Sequence, residues 1–296
     1  MTAGAAGQDR WATWLLERRF GGDATQQQVV LDQLYPIRDL VLQHAAIEDG
    51  DVVLDVGAGD GLIAFGARSL VGAHGIVIFS DISQDLLDVA RSLVVQMGML
   101  DRCRFLHAPA EDLSAFAAAS VDVVTTRSVL IYVDDKRAAL REFFRDLRPG
   151  GRLSTFEPIN RFGFSEPPGQ LFGYDVTPIQ GIAEKLRVVY HRVHPLDTDS
   201  MLNFDERDLL ADAEAAGFDE IHLEYEADIG PNSLALPWDT FVHTSFNSRA
   251  PTLEEAMGES LTPDEAERFQ AYLRPLMDAV PGTFRSAKTY LWATKR

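Results

Sequence analysis

Between about Asp51 and Pro158 the chain alternates short apolar runs with helical patterns, and this alternation limits the fold more than any other feature. Val52-Val53-Leu54-Asp55-Val56, Ile76-Val77-Ile78-Phe79, Cys103-Arg104-Phe105-Leu106, Val121–Thr125 and Arg152–Phe156 read as strands. Helices are predicted over Leu62–Leu70 and from near Ser83 to about Met97. A third runs from a cap at Asp134 or Asp135 through Ala139, Phe143 and Leu147 to Pro149-Gly150-Gly151. Runs that are apolar at nearly every position belong to strands covered on both faces. Strands separated by helices of roughly 10–15 residues imply βαβ units and a mainly parallel sheet.

Three regions do not follow this alternation. Residues 1–49 read as helical, with Trp11, Trp14, Leu15 and Phe20 on or near one stripe. Residues 159–200 are rich in Pro, Gly and aromatics and then helical from about Ile179 to His191. Residues 230–284 hold a helix pair, Leu253–Ser260 and Pro263–Met277, the second with Thr262 as a plausible N-cap. Between them lie a helix over Glu206–Ala216, a strand near Ile221–Tyr225 and a last strand near Thr289–Ala293. The expected organisation is an N-terminal helical lid, 1–49, and one domain, 50–296, with cap insertions at about 159–200 and 230–284.

Composition narrows the partners. The chain has 296 residues with 27 Lys+Arg against 45 Asp+Glu, a formal net charge of -18. Nucleic-acid backbones and anionic membrane surfaces both require clustered cationic residues, so neither is expected as a partner. A single cysteine forms no internal disulfide and no Cys-rich zinc site. His191 and His194 lack the H-E-x-x-H context of a metal site, and no metal is expected. Met1–Phe20 has no continuous apolar core of a signal peptide. Leu62–Phe79, the most apolar stretch, is interrupted by Arg68, His74 and three glycines. A cytoplasmic protein acting on a small molecule is the expectation, with a homodimer left open.

The densest motif is Leu54-Asp55-Val56-Gly57-Ala58-Gly59-Asp60-Gly61, where a strand hands over to a helix. Glycines there let the backbone turn sharply and let a ligand approach closely. The spacing is G-x-G-x-G; the third glycine of a dinucleotide fingerprint would stand at Leu62. The acids Asp55 and Asp60 suit a ligand bearing positive charge. Asp81 ends the second strand, where an acid in an open α/β sheet accepts the hydroxyls of a ribose. A helix cap for the segment after Ser83 is the alternative.

The sequence resembles class I S-adenosylmethionine-dependent methyltransferases, particularly the small-molecule branch. The matching residues are Asp55-x-Gly57-x-Gly59-x-Gly61, Asp81-Ile82-Ser83, Ala110-Glu111-Asp112-Leu113, Val121-Asp122-Val123-Val124 and Leu147-Arg148-Pro149-Gly150-Gly151-Arg152-Leu153. They stand in the family's order over about residues 50–158. The resemblance implies a Rossmann-like three-layer α/β sandwich with helical cap segments. Its seven-stranded sheet would be mainly parallel, with the last strand antiparallel. It implies S-adenosyl-L-methionine as cofactor. Gly57, Ala58, Gly59 and Gly61 would hold its methionine part, with Gly57 and the backbone near Arg127 accepting from the amino group. Asp81 would take the ribose, Ile82 would lie against the adenine, and Ala110 and Glu111 would meet the adenine edge. Pro109 stands where many relatives have Asp or Asn. The lone cysteine sets the chain apart from arsenic methyltransferases, which need several thiols.

Methyl transfer needs a nucleophile aligned opposite the S–CH₃ bond, and holding the partners in that geometry can lower the barrier by roughly 7–11 kcal/mol. A general base adds less, roughly 10²–10⁴-fold. Candidates for proton transfer are Glu157, His191 and Tyr132; each has an ordinary structural alternative as a core or surface residue. Trp14, Ser128, Asn160, Tyr174 and His194 are candidates for contact with the acceptor. Oxygen or carbon is the preferred acceptor atom, because Thr126-Arg127-Ser128-Val129 replaces the N/D-P-P-Y/F motif of amide N-methylation. Two other classes remain at this point: an NAD(P)-dependent oxidoreductase and a non-catalytic module on the same fold. The three additions, if they meet over the strand ends, would enclose a pocket suited to a small organic substrate.

Overall fold

In the computed structural model the five apolar runs become β1 (Val52–Val56), β2 (Ile76–Asp81), β3 (Cys103–His107), β4 (Val121–Arg127) and β5 (Leu147–Pro158). Described are residues 8–19, 21, 24–164, 166–232 and 236–296; Phe20 of the aromatic stripe lies outside them. A short hairpin, β6 (Gln170–Leu171) and β7 (Tyr174–Asp175), leaves the sheet. β8 (Asp219–Pro231) and β9 (Thr283–Thr294) return to it, giving the order β3-β2-β1-β4-β5-β9-β8. β1 to β5 pair in parallel, while β9 runs antiparallel to both β5 and β8. The sheet is the expected seven-stranded one, mainly parallel with its last strand reversed. The order turns back between β1 and β4, and the crevice outside their carboxyl ends is where such sheets bind ligands.

Alternate strand residues enter opposite layers. Val53, Val77 and Val123 pack with α2 (Ala24–Ala45), α3 (Leu62–Leu70) and α4 (Gln84–Gln96) through residues such as Val41, Ile63 and Leu87. Leu54, Ile78 and Val124 pack on the other face with α5 (Lys136–Asp146) and α8 (Glu206–Ala216) through Phe143 and Leu209. Ser83 caps α4 by accepting from Leu86 N, and Asp135 rather than Asp134 caps α5 by accepting from Ala138 N. α5 ends at Asp146, so Leu147 begins β5 and Pro149-Gly150-Gly151 lies inside that strand's irregular first part.

The additions form their own packed body. α7 (Gln180–Val193), α10 (Leu253–Ser260) and α11 (Pro263–Ala279) follow the predicted helical stretches closely, while the short α6 (Asn160–Phe164) and α9 (Trp238–Phe241) were not predicted. Leu186, Trp238, Leu253, Phe269 and Leu273 bury together, so the insertions after β5 and β8 share one apolar cluster. Thr252 and Thr262 each close a capping box, with Glu255 and Glu265. β8 and β9 are longer than their apolar runs suggest. They pair from Asp219↔Thr294 to Pro231↔Thr283, and in β8 Ile221, Leu223, Tyr225, Ala227 and Ile229 alternate with His222, Glu224, Glu226 and Asp228.

At the amino terminus, α1 (Arg10–Thr13) and a π-helical turn (Trp14–Arg18) precede α2, which holds Pro36 in its interior. Ala12 and Leu15 are buried against Leu86 of α4, with Trp11 and Trp14 beside them. Among the described residues no helix is long and apolar enough to cross a membrane.

Candidate active site

The glycine loop joins β1 to α3 in a left-handed backbone. Gly57 has φ +67°, and a Cβ there would come within 2.3 Å of Val129 Cγ2. Asp55, ahead of it, is drawn into the core: it accepts from Thr125 Oγ1 at 2.9 Å and from Ala64 N at 3.1 Å. Burial pushes its carboxyl up to about 7. Asp55 therefore braces the loop from behind and does not line the crevice.

Asp81 occupies the crevice at the end of β2. Its Oδ2 accepts from Gly59 N and its Oδ1 from Ser83 N, both at 2.8 Å. Burial pushes its carboxyl upward. Each oxygen retains acceptor capacity beyond these single bonds. Asp81 thus orders the start of the α4 segment and also lines the cavity.

A cavity of about 1020 Å³ opens here and runs under the additions. Near β1 and β2 its wall includes Gly57, Gly59, Asp81, Ile82, Ala110 and Glu111. Ile82 is half exposed, at 52%, so an apolar surface is offered beside Asp81. The wall also includes Trp14, Arg127, Ser128, Tyr132, Asn160, Tyr174, His191 and His194. Asp55, Ala58, Gly61 and Glu157 are not on the cavity wall.

Glu157 is fully buried and turned away from the cavity. Oε1 accepts from Val129 N at 3.0 Å and Leu130 N at 2.9 Å, and Oε2 from Ile131 N at 3.1 Å. Burial pushes its carboxyl up to about 7, against the pull of these three donors. The turn it organises, Leu130–Tyr132, presents Tyr132 to the cavity. Trp11 meets the Tyr132 ring edge-on at 4.8 Å, and burial pushes the Tyr132 hydroxyl up to about 12. Ser128, just before that turn, has φ +56° and donates its N–H to Phe156 O at 2.8 Å.

The two histidines do not share a helix face. His191 stays in the last turn of α7, exposed, with its ring 5.3 Å from that of Phe164. His194 leaves the helix and is buried. Its Nδ1 is 2.9 Å from Asp199 Oδ2 and its Nε2 is 3.0 Å from Asn247 Nδ2. Asn247 Oδ1 already accepts from Arg249 N and Ala250 N, so its amino group faces the imidazole. His194 therefore accepts at Nε2 and carries its proton on Nδ1, toward Asp199. Asp199 and Asn247 were not singled out from the sequence. They come from separate loops with no motif spacing to mark them.

The amino-terminal segment spans the cavity. Asp9 accepts from Ser83 Oγ at 2.7 Å on the sheet side. On the other side Trp14 Nε1 donates to Ser245 O at 2.9 Å, and Arg18 pairs with Glu255 of α10. Gly22 and Asp23, which follow it, lie outside the described residues. The inner end of the cavity is aromatic, with Phe172 at 5.3 Å from Phe241 and 5.7 Å from Tyr190. Among the described residues no group of three or more His, Cys, Asp or Glu side chains is placed to hold a metal.

Comparison with known proteins agrees with this geometry. Residues 23–227 match the model of the ubiE/COQ5 methyltransferase family. The ubiquinone/menaquinone biosynthesis C-methyltransferase UbiE of Xylella fastidiosa (strain M23) is 35% identical over 156 residues, covering 48% of this chain and 61% of the relative. The protein of the same name from Pseudomonas putida is 31% identical over 193 residues, covering 61% of this chain and 70% of the relative. The chain thus spans about three fifths of the length of the first of these relatives. In fold it is similar to the YcgJ protein of Bacillus subtilis, with a TM-score of 0.53, 17% identity, and coverage of 88% of this chain and 97% of that one.

Proposed function

This chain belongs to the ubiE/COQ5 methyltransferase family, and from that membership we propose that it transfers a methyl group from S-adenosylmethionine to a small organic molecule. Carbon or oxygen is the acceptor atom, and quinone or natural-product biosynthesis is the setting; the names of the relatives support the former. The bound cofactor supplies an electrophilic sulfonium methyl.

The observation that carries this reading is the placement of Asp81. Its carboxylate is buried at the cavity wall, held by Gly59 N and Ser83 N, with acceptor capacity left for a vicinal diol. The neighbouring residues fit the rest of the cofactor. Gly57 and Gly59 bring bare backbone to the wall beside Arg127, where the amino-acid end would lie. Ile82, Ala110 and Glu111 would take the adenine.

Residues 8–19 act as a lid in this account, tied to α4 on one side and to the cap insertions on the other. Excluding water strengthens the electrostatics inside. Trp14, Ser128, Asn160, Tyr174 and His194 face the acceptor. Tyr132, with its hydroxyl at about 12, stays neutral near pH 7 and donates a hydrogen bond there. Glu157 acts through the turn that carries Tyr132 and not on the acceptor. Alignment therefore supplies most of the rate. The surplus of acidic residues supports a small molecule over a polyanion as substrate.

The test is incubation with S-adenosylmethionine and reduced 1,4-naphthoquinone or a panel of phenols, followed by mass spectrometry. Equal amounts of S-adenosylhomocysteine and singly methylated product are expected. Oxidation of NADH with no methyl transfer would overturn the reading.

A further inference from the structure

The cavity is cationic inside a strongly acidic chain. Against a net charge of -18, five arginines reach its wall: Arg10, Arg19, Arg127, Arg187 and Arg285. Among the described residues only three acids do so, Asp81, Glu111 and Glu166. Asp81 and Glu111 lie in the half assigned to the cofactor. Glu166 is committed to the backbone, accepting from Phe172 N at 3.1 Å and Gly173 N at 2.6 Å. The half assigned to the acceptor includes Arg187 and Arg285.

Arg285 stands out among them. Arg187 pairs with Glu184 and donates to Gln170 O, and Arg10 lies over the Trp11 ring. Arg285 forms no ion pair and no side-chain hydrogen bond among the described residues, and its Nε is buried without a partner. Its guanidinium rests on the face of Phe162, 5.2 Å from the ring centroid. This seat is built by the backbone. Ile159 N donates to Ala287 O at 2.8 Å, and a Cβ on Gly163 would stand 2.2 Å from Arg285 O. Only a glycine lets α6 approach the start of β9 so closely and carry Phe162 beneath the guanidinium.

A guanidinium with one buried, unbonded N–H, seated on an aromatic face, lacks among the described residues the partner it binds best, a planar oxyanion held by two parallel hydrogen bonds. The apolar remainder of a ligand has a place nearby. Phe172 and Gly173 lie against the start of β9, where Thr283 N donates to Gly173 O at 2.9 Å. Phe241 and Phe246 join Phe172 in the aromatic end of the cavity.

We propose that the methyl acceptor is an aromatic carboxylate whose oxyanion is bound by Arg285. This rests on the methyltransferase reading and adds a substrate class to it. The names of the relatives assign no such charge to the acceptor, and Arg285 lies beyond residues 23–227, which match the family model.

The probe pair is 1-naphthoate and its neutral analogue 1-naphthamide, titrated by calorimetry into protein saturated with S-adenosylhomocysteine. Naphthoate should bind at least tenfold more tightly. Arg285→Gln should abolish that preference while leaving the affinity for S-adenosylhomocysteine unchanged, which also reports an intact fold. Arg285→Lys should retain part of it, since charge remains without the planar fork. Equal affinities, no binding of naphthoate, or a preference that survives Arg285→Gln would each overturn the proposal. Failure of the wild-type protein to bind S-adenosylhomocysteine would instead overturn the cofactor reading on which it rests.

Discussion

Asp9 accepts a hydrogen bond of 2.7 Å from the Ser83 hydroxyl, and Ser83 donates its own backbone N–H to Asp81 at 2.8 Å. The amino-terminal segment is thus tied to the strand end that bears the candidate ribose acid. Asp9 also caps α1, accepting from Trp11 N at 2.9 Å and Ala12 N at 3.0 Å. One side chain both starts α1 and fastens it to Ser83.

Removing that side chain should loosen the lid. Loss of an N-cap costs about 1 kcal/mol, and the bond to Ser83 is lost with it. Asp9→Ala should speed hydrogen exchange of the amides of residues 10–16 and weaken S-adenosylhomocysteine binding several-fold, with the midpoint of thermal unfolding little changed. Unaltered exchange in that segment would show that Asp9 does not hold it.

The glycine loop gives a second expectation. Gly57→Ala forces a non-glycine residue to φ +67° and sets its Cβ 2.3 Å from Val129 Cγ2. The left-handed conformation alone costs roughly 1–2 kcal/mol for an L-residue. Binding of S-adenosylhomocysteine should fall more than tenfold. Adding Val129→Ala should restore part of it, by relieving the contact but not the backbone strain. Full recovery in the double variant would show that strain plays no part.

Much of this was legible in the sequence, for a local reason. Strand, glycine turn and helix follow one another along the chain, so Gly57 to Gly61 and Asp81 could be placed without knowing the fold. The expected strand near Ile221–Tyr225 fell short of β8, although the alternation with Glu224, Glu226 and Asp228 continues to Ile229. The part played by Glu157 was not legible: its three donors, Val129 N, Leu130 N and Ile131 N, come from the preceding strand's turn. Asn247 reaches the cavity, and Asp199 meets His194, only because separate insertions fold together, while Arg285 stands at the start of β9. Nothing in their spacing marks them. His191 and His194, three residues apart, would share a face of an unbroken helix, but α7 ends at Val193.

Glu157 should show itself through stability. In Glu157→Gln the new amide turns a donor toward backbone N–H groups, and a buried donor left unsatisfied costs about 1–3 kcal/mol. The pH dependence has a definite sign. The folded carboxyl sits at about 7, above its ordinary 4.5, so the folded state holds this proton more tightly. Its contribution is fully present below about pH 4.5 and is lost as pH rises through about 7. Urea unfolding should show a larger deficit for Glu157→Gln at pH 5 than at pH 8. The opposite trend would mean that the carboxylate is bound ionised.

The buried His194–Asp199 pair makes a further case. Asp199 also accepts from Met201 N at 2.8 Å and from Arg249 Nη2 at 3.0 Å. Breaking a buried pair from one side costs about 3–5 kcal/mol. Asp199→Asn should lower stability on that scale while S-adenosylhomocysteine affinity stays within about twofold, because the pair lies in the cap insertions. A selective loss of cofactor affinity would contradict that separation.

The central claim is that Asp81 and the glycine loop form a site for S-adenosylmethionine. Calorimetry with S-adenosylhomocysteine and NADH, on the wild-type protein and Asp81→Ala, tests it most directly. The account expects tight binding of S-adenosylhomocysteine, none of NADH, and a loss of at least tenfold on substitution. Binding unchanged in Asp81→Ala, or NADH bound in place of S-adenosylhomocysteine, would contradict it.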